Sequence, residues 1–143
     1  MELYGINKSN LLGRKFNQWL RKVEKYLKRH GIFPDEICIV GGAVLEAIGL
    51  RKIYGNGGWH LASHLSIAIK GYVRSADKIC ITNDELIYNT HYYFVYRGFK
   101  FARPEVVYYR KKNDIRPKDM RDVKLIEEFL KNMGGRKVVM DKA

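Results

Sequence analysis

The chain has little of what staples a fold or spans a bilayer. Its 143 residues include 2 cysteines and 3 prolines. Cys38 lies in the apolar run Ile37-Cys38-Ile39-Val40 and Cys80 in Ile79-Cys80-Ile81, so both read as buried strand thiols. Neither has metal-type or redox-type spacing, and a disulfide between them is the less favoured reading for a reducing compartment. No apolar run approaches the roughly 20 residues that a membrane-crossing helix needs. Residues 1–10 hold no apolar signal-peptide core. The expectation is a cytoplasmic protein with no membrane partner. Acid is the other shortage: 15 Asp and Glu stand against 27 Lys and Arg, a formal charge of +12. The surplus is no detachable tail, because residues 1–71 and 72–143 each carry +6. Such a balance favours nucleic acid, nucleotides or an acidic protein surface as partner, with plain solubility as the bland alternative.

What is present is an ordinary globular mixture, 46% hydrophobic and 29% charged. That is enough to bury a core in one domain over residues 1–143, with a frayed tail at 136–143. Residues 9–30 read as a helix capped by Ser9 and stopped by Gly31. Leu12, Phe16, Trp19, Leu20, Val23, Tyr26 and Leu27 form its apolar stripe. Its other face carries Arg14, Lys15, Arg21, Lys22, Lys25, Lys28 and Arg29 against one acid, Glu24. A face so one-sided is not the mixed-sign pattern of mere solvation. Strands are expected at 36–40, 65–69 and 78–82. Short helices are expected at 43–50 and after an Asn83 or Asp84 cap. Residues 92–96 and 99–101 read as a hairpin around Arg97-Gly98. Pro104 and Pro117 suit the starts of two final helices. The second of these buries Met120, Val123, Ile126 and Leu130 and ends at Gly134-Gly135.

Three stretches then carry more than architecture. Val40-Gly41-Gly42-Ala43-Val44-Leu45-Glu46 delivers a strand through a small-residue turn to a helix. His64-Leu65-Ser66-Ile67-Ala68-Ile69 follows a glycine-rich loop. Arg103-Pro104-Glu105-Val106 runs on to Arg116-Pro117-Lys118-Asp119-Met120-Arg121-Asp122. In this order they resemble the nucleotidyltransferase superfamily, notably its small antibiotic-modifying and toxin–antitoxin-type members. The resemblance implies an α/β (α+β) domain, a small mixed sheet flanked by helices. It also implies phosphate binding at Gly41, Gly42, Arg51 and Lys52.

The resemblance also implies what is missing. In that family the second stretch carries Asp-x-Asp. The i, i+2 spacing puts two carboxylates on one strand face, where they share Mg²⁺ ions. Here those positions are His64 and Ser66, and residues 92–101 contain no Asp or Glu to supply a third acid. A neutral imidazole and a hydroxyl are poor ligands for a hard cation. The expectation is a catalytically inactive domain, a pseudoenzyme with no metal and no cofactor. It would bind nucleic acid or another polyanion through Arg14, Lys15, Arg21, Lys22, Lys25, Arg110, Lys111, Lys112, Arg116 and Lys118. One alternative is a divergent active transferase using Mg²⁺ and a nucleoside triphosphate, with metal ligands from Glu105, Asp119 or Asp122. Another is a structural subunit docking on a ribonucleoprotein or acidic partner.

Local alternatives qualify the rest. His60 and His64 are spaced for a helical metal pair but adjoin glycines and a strand, so a strand-edge histidine is favoured. Asp119 and Asp122 suit a helix N-terminus and pairing with Arg116, Lys118 or Arg121. Aromatic and basic residues interleave from Tyr92 to Arg121. Such a surface stacks bases, unless alternate aromatics fill the core.

Overall fold

The chain is described by a computed structural model covering residues 11–50, 67–71, 81–113 and 119–132. The first helix, α1 (Arg14–His30), buries Phe16, Trp19, Leu20, Val23 and Leu27 on one stripe. Gly31 ends it at φ 67°, with its N–H donating to Lys28 O at 3.3 Å and the Ile32 N–H to Leu27 O at 2.9 Å. This is the Schellman arrangement, in which a left-handed glycine satisfies the last carbonyls. The helix starts later than expected. Gly13 occupies the N-cap, Ser9 lies outside the described residues, and Leu12, ahead of the first turn, is 62% exposed instead of lying on the apolar stripe.

A 3₁₀ turn (Pro34–Glu36) leads into β1 (Ile37–Ile39), followed by α2 (Gly42–Ala47), three residues shorter at its end than expected. Next come β2 (Ile67–Ile69) and α3 (Asn83–Tyr88). The cap of α3 is Thr82, not Asn83 or Asp84. Thr82 Oγ1 accepts from Glu85 N at 3.1 Å while Glu85 Oε1 accepts from Thr82 N at 3.5 Å, a reciprocal capping box. The strand expected over 78–82 is not seen at Ile81 and Thr82, and 78–80 lie outside the described residues. The hairpin is as read: β3 (Tyr93–Tyr96) and β4 (Phe99–Ala102) flank Arg97 at φ 51° and Gly98 at φ 80°. Two positive φ values make a type I′ turn, whose twist matches paired strands. The last described elements are α4 (Pro104–Asn113) and α5 (Asp119–Asn132). On α5, Val123 and Ile126 are buried, but Met120 is 49% exposed and not part of the core.

The four described strands form one mixed sheet in the order β2-β1-β4-β3. β1 runs antiparallel to β2 and parallel to β4, and β4 is antiparallel to β3. Helices cover both faces. On one face Phe101 meets Phe16 of α1 with ring centroids 5.9 Å apart. Lys100 points the other way by strand alternation. Its Nζ donates to Ile87 O of α3 at 2.8 Å and to Asp35 O at 3.0 Å. The expected small α/β domain with a mixed sheet between helices is therefore the fold.

Candidate nucleic-acid interface

The basic face of α1 is open to solvent: Arg14, Lys15, Arg21, Lys22, Lys25, Lys28 and Arg29 are all exposed. Helical spacing sorts them into two rows. Arg14, Arg21, Lys25 and Lys28 lie along one flank, and Lys15, Lys22 and Arg29, seven apart, along the other. Glu24 is the only acid on the helix, and its contact with Lys28 at 3.9 Å is exposed at both ends. Such an i,i+4 pair is worth only about 0.3–0.5 kcal/mol, so it leaves the field of the face positive.

The first row borders a groove of about 440 Å³. Arg21, Glu24, Lys25 and Lys28 form one wall, and Arg97 and Phe99 of the β3–β4 hairpin form the other. In the sequence Arg97 is a turn residue and one cation of the interleaved aromatic and basic stretch, with nothing to tie it to α1. That its turn folds back beside α1 is a tertiary fact. Its guanidinium sits 5.6 Å from the Tyr96 ring centroid.

Other expected contacts are elsewhere. Arg110 is 7% exposed and donates through Nη2 to Asn83 Oδ1 at 3.1 Å, so it holds α4 to α3 and is not a surface phosphate contact. Lys111 is drawn inward by Asp122, Nζ to Oδ2 3.2 Å. Asp122 thus meets a cation of α4, and Arg116 and Lys118, two of the partners expected for it, lie outside the described residues. Lys112 is exposed, with Nζ 3.4 Å from Tyr108 Oη. Arg51, Lys52, His60, His64, Ser66, Arg116 and Lys118 lie outside the described residues.

The aromatic surface contracts as well. Tyr92, Phe94, Tyr96, Phe99 and Phe101 are all buried, which removes more of the interleaved set than simple alternation predicts. β3 and β4 each turn their aromatic side toward α1, and Tyr92, just before β3, is buried too. Comparison of the chain with protein-family models, curated proteins and solved structures finds no match.

Gly41 and Gly42 join β1 to α2 and are half-buried. Gly41 has φ 61° and ψ −138°, a conformation that disfavours any side chain, although a Cβ there meets nothing within 4 Å. Of the acids weighed as alternative metal ligands, Asp122 directs its carboxylate at Lys111 and Glu105 is 5% exposed, while the Asp119 side chain, His64 and Ser66 lie outside the described residues. Among the described residues no three His, Cys, Asp or Glu side chains gather closely enough to hold a metal ion, and no helix is long and apolar enough to cross a membrane.

Two interior groups titrate abnormally. Burial pushes the Cys38 thiol up to about 12, opposed by the charges of Arg110 and Lys100, so the thiol stays protonated. Burial also raises the Glu105 carboxyl above its ordinary range, against its own backbone hydrogen bond and the Arg103 charge. Among the described residues its Oε1 has no hydrogen-bond partner. A carboxyl whose folded-state pKa is raised binds its proton more tightly in the folded than in the unfolded chain. It therefore favours folding at low pH, and that contribution is lost as pH rises through the folded value. Urea unfolding at stepped pH should show Glu105→Gln gaining stability relative to the parent as pH increases from below the ordinary Glu range. A constant difference across pH shows that Glu105 does not titrate in this way.

Proposed function

We propose that the protein is a catalytically inactive nucleotidyltransferase-like domain that binds nucleic acid through the exposed basic face of α1. The carrying observation is that face: seven Lys and Arg side chains on one helix, all exposed, against a single acid. The fold class is the one the resemblance implies, and His64 and Ser66 in place of the metal-binding aspartates argue against turnover. Lys and Arg at a phosphate backbone release condensed counterions, so binding should weaken steeply with salt.

The test replaces Arg21, Lys22 and Lys25 by Gln, which keeps helix propensity. Fluorescence anisotropy with RNA and DNA oligonucleotides reads affinity across a salt series. For single strands the slope of log K against log salt is about −0.7 per phosphate contact, so the triple variant should be shallower by about 2. Absence of any association with either nucleic acid at low salt overturns the proposal.

A further inference from the structure

Granting that α1 binds nucleic acid, we infer that the groove between α1 and the β3–β4 turn seats one single strand by its sugar–phosphate backbone, with Arg97 as its second wall. Four features carry this. The first is length. Arg21 to Lys28 spans seven residues, about 10 Å at 1.5 Å per residue. That length lets three cations follow a short run of one strand's phosphate backbone.

The second feature is shape. The outer row, Lys15, Lys22 and Arg29, lies on the convex side of the helix, where the convex backbone of a duplex can approach. The inner row instead lines a concavity closed by Arg97 and Phe99. A two-walled basic groove tracks a single backbone.

The third is Arg97 itself. Among the described residues it is the one non-glycine with positive φ. Left-handed backbone costs an ordinary side chain on the order of 1–2 kcal/mol, and Asn serves this turn position better. A locally costly arginine thus stands where its planar five-donor cation lines the same groove as Lys25. That geometry suits bidentate contact with a phosphate.

The fourth is what the groove does not offer. Phe99 is 4% exposed and Tyr96 6%, so neither presents a face for base stacking. Recognition is therefore backbone-led and independent of sequence.

The experiment uses Arg97→Asn in the full chain. Asn-Gly is a favoured type I′ pair, so the turn is kept while the charge is lost, and an unfolding midpoint no lower than the parent's verifies this. The probes are a labelled oligouridylate of about 12 nucleotides, within the usual range of single-strand sites, and an RNA duplex of equal length. Lys22→Gln serves as the outer-row control.

Arg97→Asn should weaken oligouridylate binding at least threefold and make its salt slope shallower by about 0.7, leaving duplex binding unchanged. Lys22→Gln should weaken the duplex more than the single strand. Parent-like oligouridylate binding by Arg97→Asn, or an equal loss on both probes, overturns the groove while leaving the α1 proposal standing. No binding of either probe by the parent overturns both. Inorganic polyphosphate is titrated as competitor. If it displaces oligouridylate equally well per phosphate, with the same Arg97 dependence, the site is a general polyphosphate seat and the strand assignment falls.

Discussion

Truncating Phe101 to alanine should lower the unfolding free energy by about 3–5 kcal/mol. Domains of this kind have about 5–15 kcal/mol in all, so the variant stands near the limit of folding. Phe101 is fully buried, and its ring lies 5.9 Å from Phe16, 5.3 Å from Phe94 and 6.3 Å from Tyr96. Those partners sit on α1 and β3, while the Phe101 backbone pairs with Ile39 of β1. One side chain thus joins the basic helix to both halves of the sheet, and little can collapse into the space its removal leaves. Urea titration followed by tryptophan fluorescence measures the change, since Trp19, one of the chain's 2 tryptophans, packs 5.4 Å from Phe16. A loss below about 1.5 kcal/mol would place the centre of the core elsewhere, because even a single fully buried Phe side chain accounts for that much.

The second large effect is expected at the α4–α5 junction. Asp122→Ala removes the carboxylate that Lys111 Nζ contacts, and removing one partner of a buried pair typically costs about 3–5 kcal/mol. The two side chains are 15% and 9% exposed and 3.2 Å apart. Lys111→Met should also destabilise, by removing the cation that faces Asp122 across the two helices. The double variant Lys111→Met with Asp122→Leu should return to within about 1 kcal/mol of the parent, because apolar groups of similar volume replace a buried ion pair at little net cost. Additive losses in the double variant would show that the two residues act separately. Oligonucleotide affinity should be unchanged in any of these variants that still folds.

These two sites also show what the sequence made legible. Gly31 ends α1 and Arg97-Gly98 turns the hairpin because each needs a backbone conformation that only a few residue types favour, and such constraints are local. The α1 face was legible because one side of the helix is wet and the other dry, which imprints a 3.6-residue period. On α4, by contrast, Pro104, Glu105, Val106, Val107 and Arg110 are all buried. Its neighbours α2 and α5 cover it from more than one side, so no solvent face marks which residues turn inward. Arg110 and Lys111 therefore read as surface cations when Asn83 and Asp122 hold them. Leu12 and Met120 err in the opposite sense: both are apolar and next to helix starts, where the periodic stripe has not yet met the core. In the candidate site, the Arg21–Lys28 wall could be read from spacing, and the Arg97 wall required knowing how the hairpin folds back.

The parallel pairing of Ile39 with Phe101 sets an order of assembly. The β3–β4 hairpin closes over a two-residue turn and belongs to the fast, local class of events. β1 must wait for β4, which lies far along the chain, and non-local parallel pairing is intrinsically slow. During synthesis, α1 and its cations therefore emerge well before the strand that covers Phe16. Until Phe101 arrives, Phe16 lacks the ring that joins it to the sheet, and part of the apolar side of the helix stays open beside its cations.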